Sequence, residues 1–336
     1  MPLQSIGDMA QSFALRRQSV ELNRQMDRLT QELSSGVASD IPRHLSGNLL
    51  QLADVERDLS VLDARRDVAR LATTDAEVMQ TSLDRVQTTT GDLATNALTA
   101  GLTAGDLQIS TVTTEARGAL ETITGALNSD VAGRALFAGN KTDTAPMASA
   151  DVLLGALKSA LSGATDTGDI RARLDTFFDD PAGGFATVVY KGGTDGLTPR
   201  DLGAGESVAL DIRADDPALR DVMKQTALIA ILDDASLGLS RQDRQELLGS
   251  AGEMLLNGQT SLTGLRADLG FAEERVSQAE SRISAGLTSL NIARNDLISA
   301  DMPSTAVELE QVQSQLETLY TLTARSARLS LVNFLS

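Results

Sequence analysis

The sequence predicts a mainly α-helical protein: a long antiparallel coiled-coil helical bundle rod with a small α+β insert and terminal assembly helices. Three observations predict this class. Apolar residues recur at alternating steps of three and four over long stretches of the chain. Aromatic residues make up only 3% of it, which favours a thin aliphatic core between helices over a wide globular core. Between residues 139 and 215 this periodicity gives way to short segments punctuated by Gly, Asp and Thr.

The first predicted helix covers residues 6–33 and carries two apolar stripes. The first stripe contains Ile6, Met9, Phe13 and Val20, and the second contains Leu22, Met26, Leu29 and Leu33. Gly36 suits the left-handed residue that ends a helix, and Pro42 prevents continuation.

A long helix is predicted next, over about residues 45–100. Its apolar seam contains Leu52, Val55, Leu59 and Leu62, and later Met79, Leu83, Val86, Thr90, Leu93 and Ala97. The two runs do not follow a single heptad register, which predicts a phase slip near residues 73–79. Such a helix would be about 80 Å long at about 1.5 Å per residue, which predicts an elongated rod. A shorter helix follows over residues 110–128.

The middle region is predicted to be mixed. Residues 151–161 and 169–178 indicate short helices, whereas 185–191 and 207–213 are rich in β-formers between glycines and indicate strands. Helix returns at Asp216, a candidate N-cap before Pro217, and Ser240 with Asp243 resembles a capping box.

The C-terminal half carries the most regular seam. Its positions are Leu262, Leu265, Leu269, Ala272, Val276, Ala279, Ile283, Gly286, Leu290, Ala293 and Leu297, with small residues that admit a close neighbour. The helix over residues 52–97 is the expected partner. After Pro303, a last helix carries the stripe Leu309, Val312, Leu316, Leu319 and Leu322 and ends in an apolar run with Leu329, Val332 and Phe334.

These elements divide the chain into five parts. We expect residues 1–44 to form an N-terminal assembly helix that pairs with residues 300–336. Residues 45–138 form a helical rod paired with residues 216–299, and residues 139–215 form an outward-facing insert.

Composition excludes several classes of function. The chain has no Cys and one His, so Ser-His, Cys-His and Cys/His zinc arrangements are not available. Lys and Arg number 29 against 46 Asp and Glu, and this net charge of −17 argues against nucleic-acid binding. No stretch of about 18 residues is apolar enough to predict membrane insertion. The start of the chain lacks the pattern of a cleaved signal peptide. No cofactor is expected.

Few residues suggest chemistry. His44 lies in a predicted bend without an orienting partner. The Asp pairs at 179–180, 215–216 and 233–234 provide the carboxylates that a hydrolase of cell-wall sugars would need, although each also lies at a helix end, where caps explain it. Residues 139–142, Gly-Asn-Lys-Thr, lack the spacing of a phosphate-binding loop.

The terminal stripes indicate assembly. Two helices of roughly 30 residues, separated from the rest by Pro42 and Pro303, are expected to bury little apolar surface on each other. We therefore expect both ends to be mobile in a lone subunit and to become ordered when neighbours cover them. The candidate partner-binding residues come from these terminal stripes. They are Ile6, Met9, Phe13, Leu22, Met26, Leu29, Leu33, Leu309, Val312, Leu316, Leu319, Leu322, Leu329, Val332 and Phe334.

Three motifs resemble bacterial flagellins and their hook-filament junction relatives. Leu-Ser-Ser-Gly at 33–36 is similar to the N-terminal flagellin signature. Leu-Phe-Ala-Gly-Asn-Lys-Thr-Asp-Thr-Ala-Pro at 136–146 resembles the block that opens the variable domain of the junction proteins, and residues 308–335 resemble that group's ending. After Gly36, residues 39–43 replace the usual Asp-Asp-Pro turn.

The resemblance implies a non-enzymatic structural adaptor of the bacterial flagellum, joining the hook-associated region to the flagellin filament. It implies an extracellular location and export without a cleaved signal peptide. The implied partners are further copies in a ring, hook-associated protein one, flagellin and a flagellar export chaperone. A minor flagellin is the first alternative, and a carboxylate-dependent cell-wall hydrolase is a more remote one.

Overall fold

The chain is mainly helical. The structure, a computed structural model, describes the backbone of residues 3–103 and 105–335 and the side chains of residues 9–102 and 105–325. Long helices pack against each other, and the strands form two short antiparallel pairs, so the predicted mainly α-helical class is confirmed. None of the helices in the described ranges is long and apolar enough to cross a membrane.

The elements follow in a simple order. The helices are α1 (Leu3–Ser35), α2 (Ile41–His44), α3 (Leu50–Thr103), α4 (Asp106–Leu127), α5 (Ala150–Leu161), α6 (Thr167–Asp179), α7 (Pro217–Ile231), α8 (Arg241–Ile298) and α9 (Met302–Leu335). Strands β1 (Asp130–Val131) and β2 (Arg134–Ala135) form one hairpin, and β3 (Arg200–Gly203) and β4 (Glu206–Val208) form the other. The chain divides into a terminal unit, up to Asp63 and from Ala285 onward, and a central unit between them.

The helix ends follow the sequence signals. Gly36 has a left-handed φ of +70°, and its N–H donates to the Glu32 carbonyl at 2.9 Å, which ends α1 as predicted. Asp216 accepts the Ala218 N–H at 2.9 Å and caps α7. Ser240 and Asp243 form the predicted reciprocal capping box, because each side chain accepts the other's backbone N–H.

The two long helices pack antiparallel in both units. In the central unit the Gln87 side chain donates to Thr263 at 2.9 Å, and the Gln80 side chain donates to the Arg266 carbonyl at 2.9 Å. In the terminal unit Glu56 lies 3.7 Å from Arg294. The residue numbers of α8 therefore increase in the direction in which those of their contacts on α3 decrease. The buried seam residues of α8 include Leu262, Leu269, Val276, Ala279 and Ile283, as the heptad pattern predicts.

The predicted phase slip in α3 is present, a few residues before its expected place. One seam position repeats every seven residues through Val55, Leu62, Ala69, Ala76, Leu83, Thr90 and Ala97, all of them buried or half-buried. The other seam position is filled by Leu52 and Leu59 in the first part of the helix and by Ala72, Met79, Val86 and Leu93 in the second. Leu59 and Ala72 are 13 residues apart, one short of two heptads, so the seam changes register between them.

The middle region matches the sequence in part. Helices α5 and α6 lie within a few residues of their predicted positions, and β4 confirms a short part of the second predicted strand. The strand predicted over 185–191 is wrong: Phe185–Val189 forms a π-helical turn. Phe185 stacks on Phe178 with ring centroids 5.4 Å apart. This buried aromatic contact overrides the β-propensity of the valines.

Helices α3 and α8 come into backbone contact at a pair of glycines. A Cβ on Gly101 would lie 2.6 Å from the backbone nitrogen of Gly249, a distance that real Cβ atoms do not show. Gly252, one turn further on, is similarly close to the backbone of Leu98. Glycine is therefore required here by backbone contact rather than by backbone conformation.

We expect Gly101→Ala to destabilise the protein by about 1–3 kcal/mol, because the new methyl group must push two backbones apart. The matched control is Gly118→Ala in α4, where a Cβ meets nothing within 4 Å. It should raise stability by about 0.5–1 kcal/mol, since alanine restricts the unfolded chain. Urea unfolding followed by circular dichroism measures both, and equal effects at the two sites would contradict the close contact.

Candidate assembly surface

Helices α1 and α9 form a pair with a core of its own. Leu22 and Leu29 of α1 are buried together with Val312, Leu316 and Leu319 of α9. Leu15, Met26 and Leu309 are half-buried around this cluster. The second N-terminal stripe and the C-terminal stripe thus pack against each other.

This packing corrects the expectation that the two ends cover little of each other. Two apolar stripes that follow the same helical repeat bury each other along adjacent helices. Leu22, Leu29, Val312, Leu316 and Leu319 are each less than 8% exposed in the single chain. Their burial therefore needs no neighbouring subunit.

The first N-terminal stripe lies outside this core. Met9 is 55% exposed and Phe13 is 67% exposed, and Val20 and Leu322 are also about half exposed. Leu33 is half-buried near the end of α1. The remaining candidate partner-binding residues, Ile6, Leu329, Val332 and Phe334, lie outside the residues whose side chains the structure describes.

Backbone hydrogen bonds hold the link between α8 and α9 beside the residues that follow α1. The Ala38 N–H donates to the Ile298 carbonyl, and the Ala300 N–H donates to the Gly36 carbonyl, both at 2.9 Å. The buried Glu32 side chain accepts the Ser39 N–H at 3.0 Å. The signature around Gly36 therefore fixes the point where the N-terminal and C-terminal helices meet.

The block at 136–146 forms a backbone junction inside the central unit. The Phe137 carbonyl accepts the Ala214 N–H at 2.9 Å, and the Ala138 carbonyl accepts the Gly193 N–H at 2.8 Å. Gly139 has a φ of +58°, and a Cβ there would lie 2.4 Å from the Asp195 carbonyl oxygen. The chain thus enters and leaves the region between residues 139 and 214 at adjacent points, and Gly139 is needed for that contact.

A buried carboxylate on α3 anchors this region. Asp75 has a side-chain exposure of 2%, and the same oxygen, Oδ2, accepts hydrogen bonds from Arg134 of β2 and Arg200 of β3. Arg275 and Arg282 of α8 bind the β4 end of the second hairpin, at the Ser207 carbonyl and the Glu206 carboxylate. Salt bridges therefore tie both hairpins to the long helices.

Sequence analysis missed this anchor. The available signal was Asp75 itself, because a carboxylate one residue from the buried position Ala76 must find partners when the helix packs. Its partners lie 59 and 125 residues further along the chain. That separation gives no local pattern.

The carboxylate pairs have structural partners. Asp179, with Asp175, accepts hydrogen bonds from Lys224 at 2.7 and 3.0 Å, so α6 is tied to α7. Burial lowers the pKa of Lys224, but these hydrogen bonds outweigh burial and leave that pKa raised. Asp215 pairs with Arg213 at 2.8 Å.

The third carboxylate pair, Asp233 and Asp234, also has structural partners. Asp233 lies 2.6 Å from Arg117, which also donates to the Ala230 carbonyl near the end of α7. Lys158, 2.6 Å away, and then Ser236 hold the pKa of Asp234 well below its usual range through their hydrogen bonds. These acids therefore serve as caps and ion-pair partners rather than as a converging acid and base.

Other candidate chemistry finds no support in the structure. His44 is exposed at the end of the short helix α2. Asn140 lies in the Gly-Asn-Lys-Thr segment at 139–142. Its backbone N–H donates to the Asp195 carbonyl at 2.9 Å, and its side-chain amide donates to the Asp195 carboxylate at 3.1 Å. No group of three potential metal ligands occurs among the residues described.

The paired terminal helices, the heptad packing and the anchored middle region define a mainly helical protein whose long helices pack along apolar seams. Residues 254–335 match the family model of the bacterial flagellin C-terminal helical region. No curated protein matches the chain by sequence. Its fold is similar to a solved structure described as "putative flagellar hook-associated protein from Vibrio parahaemolyticus", with a TM-score of 0.53 and 18% identity, covering 74% of this chain and 96% of that one.

The family match and the structural likeness carry different weight. At 18% identity the likeness shows a shared fold, whereas the family match concerns the residues of α8 and α9 directly. The family match covers the C-terminal part of the chain and agrees there with the resemblance of residues 308–335 to the ending of these proteins.

We expect Asp75→Asn to destabilise the protein by about 3 kcal/mol, because it leaves two arginines without their shared charge partner. Asp54→Asn is the matched control on the same helix. Asp54 pairs with Arg57 at 3.2 Å with both side chains about two-thirds exposed, so its loss should cost less than about 1 kcal/mol. Urea unfolding compares the two, and a similar small effect would show that the anchor contributes little.

Proposed function

We propose that this chain is a structural adaptor of the bacterial flagellum, joining the hook-associated region to the flagellin filament. One observation carries the proposal: the paired helices α1 and α9 complete their own core, yet α1 keeps Met9, Phe13 and Val20 exposed. A stripe of this kind on an ordered helix is suited to packing against another helix. The likeness to the Vibrio structure, described as hook-associated, favours the junction over the filament.

The proposed partners follow from this role. Copies of the chain form a ring, with hook-associated protein one on one side and flagellin on the other. An export chaperone holds the chain before it leaves the cell through the flagellar channel. The partner surface we propose comprises the exposed candidates, including Met9, Phe13 and Leu322, whereas the buried stripe holds the helix pair together.

A minor flagellin is the second candidate. The observation in its favour is the match of residues 254–335 to the flagellin C-terminal helical region. Both candidates are structural proteins that self-associate. They differ in where the protein lies and in whether filament growth requires it.

We expect deletion of this chain to leave hooks intact while flagellin is released unpolymerised into the medium, because the hook then lacks a surface that accepts flagellin. Electron microscopy of cells and immunoblots of the medium measure this. Wild-type filament length after deletion would contradict the adaptor role. Labelled protein confined to a short band at the hook supports the adaptor, whereas label along the filament supports a minor flagellin.

The outward stripe has its own test. We expect Phe13→Asp to abolish incorporation at the hook while the helical signal of the purified protein stays unchanged, because Phe13 is 67% exposed in the single chain. Leu319→Asp should instead reduce helix content, since Leu319 is buried in the α1–α9 core. Normal incorporation of the Phe13 variant would show that this stripe is not a partner surface.

A further inference from the structure

We draw no further inference here: the strongest candidate, the exposed apolar surface that Leu102 (81% exposed) and Leu107 (84% exposed) form at the turn between α3 and α4, carries nothing because the structure does not show what covers it.

Discussion

The antiparallel packing of α3 and α8 is the constraint on which the other parts depend. In the terminal unit, the contacts between Glu56 and Arg294 and between Leu62 and Gly286 set the register. That register brings the end of α1 beside the start of α9. Helices α1 and α9 then bury their apolar stripes against each other in a core of Leu, Val and Met side chains that contains no aromatic ring. Between α3 and α8, small residues such as Ala69, Ala76 and Gly101 let the two helices pack closely, which gives many contacts within a thin aliphatic core.

The central unit combines that packing with a second kind of interaction. Arginines on the hairpins and on the long helices form ion pairs that hold the middle region against these helices. Two of the arginines, Arg134 and Arg200, bind the buried carboxylate of Asp75. Such an anchor adds less stability than an apolar contact of equal size, since both charges lose water. The anchor depends more strictly on geometry than an apolar contact does, because Asp75 binds Arg134 and Arg200 only when both hairpins are in place. The motif at 136–146 contributes to the same placement through backbone hydrogen bonds.

Local signals predicted most of the fold and less of the site. The caps at Asp216 and Ser240 and the end of α1 at Gly36 depend on neighbouring residues, so the sequence alone predicted them. The strand expected over 185–191 failed because Phe185 packs on Phe178. The change of register in α3 was predicted, but a few residues too late, because alanines rather than leucines fill the seam at positions 69, 72 and 76. The Asp75 anchor was missed because its partners are distant in sequence. At the ends, both N-terminal stripes were visible, but which one faces α9 depends on tertiary packing.

In the single chain, the terminal helices bury one apolar stripe against each other and leave another exposed. Hydrogen exchange on a verified monomer tests it most directly, because protected amides report stable helices rather than average helix content. The account predicts slow exchange around Leu22 and Leu29 and around Val312 to Leu319, together with slow exchange in the α8 seam. Fast exchange throughout α1 and α9, beside protection in α8, would contradict it and show that the helix pair forms only when neighbouring subunits bind.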